Sequence, residues 1–297
     1  MLMNKIMKFI LACIISTVGS TSILAQDELP SKPDPLGEMK RIKPVPLHSL
    51  HLDVPLQHIQ VPTSFKGVKK NLIVDKSNSL APFMEKLRLA RADFLTDSVR
   101  VLHVGDSHIK GHFFTYRVRD LLQEDFSMLS YEDYGINGAV ERTFNTPDRI
   151  RQIASFKPDL LILSFGTNTS NDRNYSSRYH YRELESLILQ IRQLLPKTPI
   201  LLTTPAGAFE RLGRNRYRLN KRTDLAVNVI KECAVDHELA YWDLYNAVGG
   251  VIYAPTNWMS ANLMRPDHIH FYVEGYELQG NLLYKAIIQH YNEYITP

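Results

Sequence analysis

The chain has 297 residues, of which 44% are hydrophobic and 22% are charged, which is the composition of an ordinary globular protein. Its formal net charge of +4 is a small excess. So small an excess does not indicate nucleic-acid binding, and we expect none. The length permits one large domain or two small ones.

The first 25 residues are typical of a signal peptide. Lys5 and Lys8 form the positively charged start, Phe9–Val18 is the apolar segment, and the small residue Ala25 precedes Gln26. Serine and threonine interrupt the apolar segment, which is shorter than the roughly 20 residues needed to cross a membrane. We therefore expect export to the periplasm or cell envelope, with no membrane span after cleavage.

The cysteines bear on anchoring and on disulfides. The residues that end at Cys13 loosely resemble a lipoprotein cleavage box, but the apolar run before them is very short, so a lipid anchor is the weaker alternative. Cleavage after Ala25 leaves Cys233 as the single cysteine, and one cysteine cannot form an internal disulfide. We predict that Cys233 is a buried, unreactive thiol in a helix.

Residues 26–78 are rich in proline, which removes backbone donors and disfavours regular structure. We predict an extended tether that drapes over the domain that follows. The prolines that indicate it up to residue 70 are Pro30, Pro33, Pro35, Pro44, Pro46, Pro55 and Pro62.

Residues 79–297 alternate between helical patterns and short apolar runs. Helices are predicted at 80–95, 113–126, 146–156, 179–195, 224–235 and 274–294, and strands at 99–104, 127–134, 159–165, 199–204 and 239–244. Strands that alternate with helices imply parallel pairing with right-handed crossovers. The pattern therefore predicts one α/β domain with three layers, α/β/α, around a mostly parallel sheet of about five strands.

Polar clusters directly follow several of these strands, where reactive groups collect in such sheets. Gly105-Asp106-Ser107-His108 follows the first strand, so Ser107 is placed on a tight turn into a helix. Because Asp and Ser are also common helix N-caps, this cluster alone is a weak signal.

Two further clusters strengthen the interpretation. Asn168 follows the apolar strand 159–165, and its side-chain amide can donate to a developing oxyanion. Asp267 and His270 precede the last helix, and a tight turn can set the carboxylate against Nδ1 of the histidine while Nε2 faces a serine.

Together the clusters resemble the SGNH (GDSL-like) hydrolases. The resemblance spans about residues 97–295 and lies in four blocks in the family's order, namely Gly105-Asp106-Ser107, Gly138 within Tyr134–Ala139, Gly166-Thr167-Asn168 and Asp267–His270. It implies the flavodoxin-like fold of that family, a serine esterase activity and no metal or other cofactor.

The resemblance also implies the role of each residue. Ser107 would be the nucleophile, His270 its base, and Asp267 the carboxylate that orients the histidine. The backbone N–H groups of Ser107 and Gly138, with the Asn168 side chain, would form the oxyanion hole.

Finer features are similar to the peptidoglycan O-acetylesterases and related cell-wall acetyl-transfer enzymes. They are His112–Thr115 after the serine block, Tyr241–Leu244 with Gly249-Gly250, and Trp258 before Asp267. One departure is Thr169, where relatives often have an acidic residue. This similarity implies an acetylated peptidoglycan or other polysaccharide as the substrate.

The polar loop 168–181 fits a carrier of sugar hydroxyls better than a lipid chain. We predict that His108 shapes the cleft and that Trp258 also contacts substrate. Arg214, in the basic stretch 211–222, is predicted to bind anionic glycan, although a solvated charged loop explains that stretch as well.

Three alternatives stay open at this point. A metal site could be drawn from His108, His112 and His268, but the hydrolase interpretation already accounts for the neighbouring Asp267 and His270. An O-acetyltransferase would use the same serine with a different acceptor. A non-catalytic glycan-binding protein could share the fold, although all the expected catalytic residue types are present.

Overall fold

The computed structural model describes residues 52–296. The predicted signal peptide, Cys13 and residues 26–51 lie outside this range, and export and the lipid anchor stay predictions. Eight strands are present in it: β1 Ile73–Val74, β2 Val99–Gly105, β3 Leu129–Gly135, β4 Leu160–Ser164, β5 Ile200–Thr203, β6 Phe209–Gly213, β7 Arg216–Leu219 and β8 Ala240–Trp242.

The same residues form eleven helices. They are α1 Ala81–Arg91, α2 Ser107–Lys110, α3 Phe113–Asp125, α4 Glu141–Phe144, α5 Pro147–Ser155, α6 Thr167–Asn171, α7 Ser177–Leu194, α8 Arg222–Asp236, α9 Leu244–Ala247, α10 Gly250–Ser260 and α11 Val273–Ile295. Among residues 52–296, no helix combines the length and the apolar character needed to cross a bilayer.

Six strands form the central sheet in the order β1-β8-β5-β4-β2-β3. Strands β3, β2, β4, β5 and β8 run parallel to one another, and β1 pairs antiparallel with β8 at the edge. The predicted α/β class and mostly parallel sheet are confirmed. The sheet contains one strand more than the five expected, because the two-residue β1 is too short to leave a pattern in the sequence.

The sheet is buried on both faces, which explains its apolar strands. In β2, Val99 and Val101 face one core cluster, and Leu102 and Val104 face the other. Helices α1, α3 and α11 supply side chains to the first cluster, whereas α5 and α7 supply the second. The result is the three-layer arrangement that the alternation of elements predicts.

Residues 52–78, in the second part of the predicted tether, pack against the domain. Leu52, Val54 and Phe65 are buried, and β1 joins the sheet. The Asn292 side chain in α11 accepts a hydrogen bond from the Val54 N–H and donates one to its carbonyl. Apolar residues between the prolines therefore extend the packed part of the chain back to Leu52, ahead of the predicted start at residue 79.

Cys233 lies in α8 and is fully buried, as predicted. Burial raises the pKa of its thiol to about 12. The thiol is therefore protonated at physiological pH and unreactive.

Candidate active site

The site lies at the carboxyl edge of the parallel sheet. Ser107 begins α2 directly after β2, whose neighbours are β3 and β4. Gly138 follows β3 and Asn168 follows β4, so the three loops share one edge. A Cβ on Gly105 would lie 2.5 Å from Ile109 Cγ1 and 2.6 Å from the Ser164 carbonyl oxygen. Only glycine therefore lets this turn pack so closely on β4.

Ser107, His270 and Asp267 form one chain of hydrogen bonds. Ser107 Oγ lies 2.9 Å from His270 Nε2, and His270 Nδ1 lies 2.9 Å from Asp267 Oδ2. The other oxygen of Asp267 accepts the backbone N–H groups of Ile269 and His270. A tight turn thus fixes the carboxylate beside the histidine, which is the arrangement expected from the sequence.

The surroundings of Asp267 keep it ionised. Partial burial acts to raise the pKa of this carboxyl, but the N–H groups of His270 and Ile269 and the His270 side chain outweigh that effect and lower it. A histidine held by an ionised carboxylate can accept a proton from a serine hydroxyl, since the carboxylate stabilises the imidazolium that forms. The geometry therefore suits nucleophilic catalysis by Ser107.

Gly138 and Asn168 border this chain of residues. Gly138 has φ +71°, a left-handed conformation that favours glycine, and its N–H has no hydrogen-bond partner among residues 52–296. Asn168 Nδ2 donates to Asp106 Oδ2 at 3.2 Å and to the Ala139 carbonyl at 3.1 Å. The amide is thus held beside both neighbouring loops, and an oxyanion would have to share one of its two hydrogens.

Asp106 is a buried carboxyl that connects the serine turn to Asn168. Its side chain accepts the His108 N–H at 2.9 Å and so caps α2. Burial raises the pKa of Asp106 to about 7, with a further contribution from the nearby Glu141.

His108 lies against the reacting histidine. The His108 and His270 rings are 5.2 Å apart, and His108 Nδ1 is 3.0 Å from the Tyr276 hydroxyl. Burial, followed by the charge of His270, lowers the pKa of His108 to about 3. His108 is therefore neutral and packs against the reacting histidine, and its predicted contact with substrate stays a prediction. Nothing in the sequence indicated that Tyr276 would lie beside the site.

The prediction that Trp258 contacts substrate is wrong. Trp258 is fully buried, packs edge-on against Phe65 and Phe271, and donates its indole N–H to the Ala206 carbonyl. A core tryptophan and a cleft tryptophan look alike in a sequence, since the side chain combines a large apolar ring with one polar N–H in either place.

The basic stretch 211–222 forms most of an antiparallel hairpin, β6–β7, instead of a loop. Arg218 and Arg222 both pair with Glu210, whose carboxylate offsets one of their two positive charges. Arg214 is exposed at the hairpin turn, and no contact with the Ser107 site connects it to substrate. Its predicted glycan binding stays a prediction.

The hairpin also supports the turn that carries Asp267 and His270. The Phe209 N–H donates to the His268 carbonyl, and the rings of Tyr217 and His268 lie 3.9 Å apart. Two strands that the sequence pattern did not indicate therefore hold the histidine turn in place.

A second histidine–carboxylate pair lies behind the loops that carry Gly138 and Asn168, and sequence reasoning missed it. Glu141 accepts from the Thr169 hydroxyl at 2.7 Å, and its other oxygen lies 3.0 Å from His180 Nε2. His180 Nδ1 is 3.1 Å from the Tyr175 hydroxyl. Because Glu141 follows the Gly138 loop and Thr169 follows Asn168, this pair ties the two loops together.

The three histidines of the alternative metal site have separate partners. His108 contacts Tyr276, His112 Nδ1 is 2.9 Å from Asp133 Oδ2, and His268 packs on Tyr217. Within the part of the chain that the structure describes, no three metal-ligating side chains form a cluster.

Comparisons with solved structures agree with this fold. A peptidoglycan O-acetylesterase has a TM-score of 0.67 and 18% identity, over 74% of this chain and 99% of that one. An acetyl xylan esterase has a TM-score of 0.48 and 18% identity, over 64% of this chain and 100% of that one. A GDSL-like lipase from Bacteroides thetaiotaomicron has a TM-score of 0.47 and 17% identity, over 70% of this chain and 97% of that one. At 18% identity, the likeness to the peptidoglycan O-acetylesterase shows the fold alone.

No functionally curated protein matches this chain in sequence. Residues 103–278 match the GDSL-like lipase/acylhydrolase family, and this segment is more than half of the chain. The matched segment contains both Ser107 and His270. The chain is therefore a member of the GDSL-like lipase/acylhydrolase family and a carboxylic ester hydrolase.

Proposed function

We propose that this protein is an exported acetylesterase that removes O-acetyl groups from a cell-envelope glycan, with peptidoglycan as the favoured carrier. The observation that carries the proposal is the continuous hydrogen-bonded chain from Ser107 through His270 to Asp267, with 2.9 Å at each step. Export rests on the signal-peptide pattern of residues 1–25.

In the first step, Ser107 Oγ attacks the acetyl carbonyl while His270 Nε2 accepts the hydroxyl proton. The ionised Asp267 stabilises the imidazolium that results. The oxyanion of the tetrahedral intermediate is held by the N–H groups of Ser107 and Gly138 and by Asn168. The carbon–oxygen bond to the sugar then breaks, and His270 returns the proton to the sugar oxygen.

In the second step, water attacks the acetyl-enzyme and gives a proton to His270. The bond from Ser107 Oγ to the acetyl carbon breaks, the proton returns to Ser107, and acetate leaves. The chemistry uses only residues of this chain and water.

The shape of the site supports a large polar carrier. The cleft at Ser107 is wide, about 540 Å³, and open to solvent. The fold is also that of a peptidoglycan O-acetylesterase, which makes peptidoglycan the first carrier to test.

The test measures acetate released from O-acetylated peptidoglycan and from an aryl acetate, by the protein and by its Ser107→Ala variant. We expect the wild type to cleave both, and Ser107→Ala to lose about 10⁴-fold or more in kcat. Ser127→Ala, an exposed serine just before β3 at the opposite edge of the sheet, is the matched control and should retain full activity.

Three outcomes would contradict parts of the proposal. Equal activity of Ser107→Ala and the wild type would overturn the serine mechanism. Cleavage of the aryl acetate but not of peptidoglycan would exclude peptidoglycan as the carrier. Transfer of acetyl to an added glycan, in place of acetate release, would indicate the O-acetyltransferase.

A further inference from the structure

The cleft in front of the proposed nucleophile carries positive charge. Ser107 and His270 line it together with Lys110 and Arg265, and the described residues that line it include no aspartate or glutamate. In such a cleft, cations raise the local concentration of an anionic ligand and orient it.

Both cations are held close to the reacting residues. Lys110 lies one helical turn after Ser107 in α2, so the two side chains share a face of that helix. The Arg265 N–H donates to the His270 carbonyl at 2.8 Å, which fixes its backbone beside the histidine. A charge on the substrate would therefore meet them only when the ester is near Ser107.

Neither cation is neutralised within residues 52–296. Lys110 and Arg265 are exposed and form no salt bridge in that part of the chain, whereas Arg218 and Arg222 of the hairpin share Glu210. The cleft cations are thus available to a ligand.

Exposed aromatic rings lie in the same cleft. Phe113 is 50% exposed and stacks on Tyr276, with ring centroids 6.4 Å apart, and Tyr272 is 44% exposed. Exposed rings at a concave polar surface mark contact with a ligand. A flat ring beside a cation suits a sugar, whose C–H face can lie on the ring while an acidic substituent meets the cation.

We propose that this cleft selects acetylated saccharides that carry an anionic group on the same sugar as the ester, through Lys110 and Arg265. The inference rests on the proposed acetylesterase function and deepens it, since it names the chemical class of the carrier. The cations act as specificity residues and take no part in proton transfer.

The test compares two esters that differ by a single substituent. 6-O-acetyl-N-acetylmuramic acid and 6-O-acetyl-N-acetylglucosamine share the acetylated carbon, and only the first carries a lactyl carboxylate. At low salt we expect kcat/KM to favour the acid about ten-fold or more. Lys110→Gln and Arg265→Gln should each reduce this preference about five-fold and change the neutral ester less than about two-fold.

Lys197→Gln is the matched control, because Lys197 is an exposed lysine in the loop that enters β5, at the opposite edge of the sheet. It should leave both esters unchanged. Raising the salt to about 0.5 M should reduce the preference in the wild type, since screening weakens exposed charge pairs.

Equal kcat/KM for the two esters, with activity still dependent on Ser107, would overturn this inference and leave the acetylesterase standing. An equal loss on both esters in Lys110→Gln and Arg265→Gln would overturn it too. If neither ester is cleaved, the acetylesterase proposal fails, and calorimetry with N-acetylmuramic acid and N-acetylglucosamine tests the cleft. Tighter binding of the acid, weakened in both variants, supports selection by the cleft cations. Equal binding of the two sugars overturns that inference as well.

Discussion

The molecule contains two histidine–carboxylate pairs of nearly the same length in opposite environments. His270 and Asp267 lie 2.9 Å apart with side chains 30% and 44% exposed, whereas His180 and Glu141 lie 3.0 Å apart and are 0% and 1% exposed. The first pair faces the cleft beside Ser107. The second lies behind the loops that carry Gly138 and Asn168.

The difference shows that distance alone does not identify a catalytic pair. In the cleft, His270 Nε2 is directed at a serine hydroxyl, so the carboxylate can assist proton transfer. In the core, both nitrogens of His180 are taken by Glu141 and Tyr175. Every polar group there is occupied within the protein, and the pair can only stabilise the loops around it.

Replacing the exposed carboxylate should have the largest effect on catalysis. Asp267→Asn keeps a carbonyl oxygen for the N–H groups of Ile269 and His270 but presents an amide to Nδ1, which favours the wrong histidine tautomer. We expect kcat on an aryl acetate to fall about 10⁴-fold, and the free energy of unfolding to change by about 1 kcal/mol or less.

Steady-state kinetics and urea unfolding on the same preparation check both parts. A variant that loses stability in proportion to activity would show that Asp267 acts as a structural support, and would remove the contrast with the buried pair.

Replacing the buried carboxylate should reverse that pattern. Glu141→Leu leaves His180 and the Thr169 hydroxyl without their partner in the core, and breaking a buried pair in this way costs about 3–5 kcal/mol. Urea unfolding should show this loss. kcat should fall about ten-fold, far less than for Asp267→Asn, because the Asn168 loop shifts while Ser107 and His270 remain.

Glu141→Gln is the control, since a glutamine of the same shape can still accept from Thr169 and donate to His180. It should recover most of the stability. If Glu141→Leu unfolds no more easily than the wild type, the pair does not hold these loops.

The fold was largely predictable because its information is local. Both faces of β2 and β4 are apolar, and helix α7 shows a single apolar stripe, so each can be recognised within its own segment. Strand β1 could not be predicted, because its two residues gain their conformation from pairing with β8, far away in the sequence. The packing of residues 52–78 is equally non-local.

The candidate site divides in the same way. Ser107, Asn168 and the Asp267–His270 turn were predictable because each is a short motif, the first two after a strand and the third before the last helix, and the structure brings them together. The Glu141–His180 pair joins residues 39 positions apart, and neither residue type indicates burial. Trp258 was mispredicted for a related reason, since a tryptophan suits both a core and a cleft.

The smallest expected effect is on the pH dependence of the unfolding free energy, which should differ between the two histidine–carboxylate pairs. Burial acts to raise the pKa of Glu141, but the hydrogen bond and charge of His180, with the Thr169 hydroxyl, outweigh it, and the pKa lies below the ordinary 4.5. A carboxyl with a lowered folded-state pKa stabilises the fold above its unfolded-state value. That contribution is lost as the pH falls through the folded-state pKa.

Glu141→Gln lacks this titration, so its deficit in unfolding free energy relative to the wild type should shrink as the pH falls below about 4.5. The slope is at most about 1.4 kcal/mol per pH unit, which corresponds to one proton. Urea unfolding from pH 7 to 3.5 measures it, with Asp267→Asn as the comparison whose small deficit changes little. A Glu141→Gln deficit that grows on acidification would mean that the buried carboxyl is protonated in the folded protein, and that His180 is held by a neutral hydrogen bond.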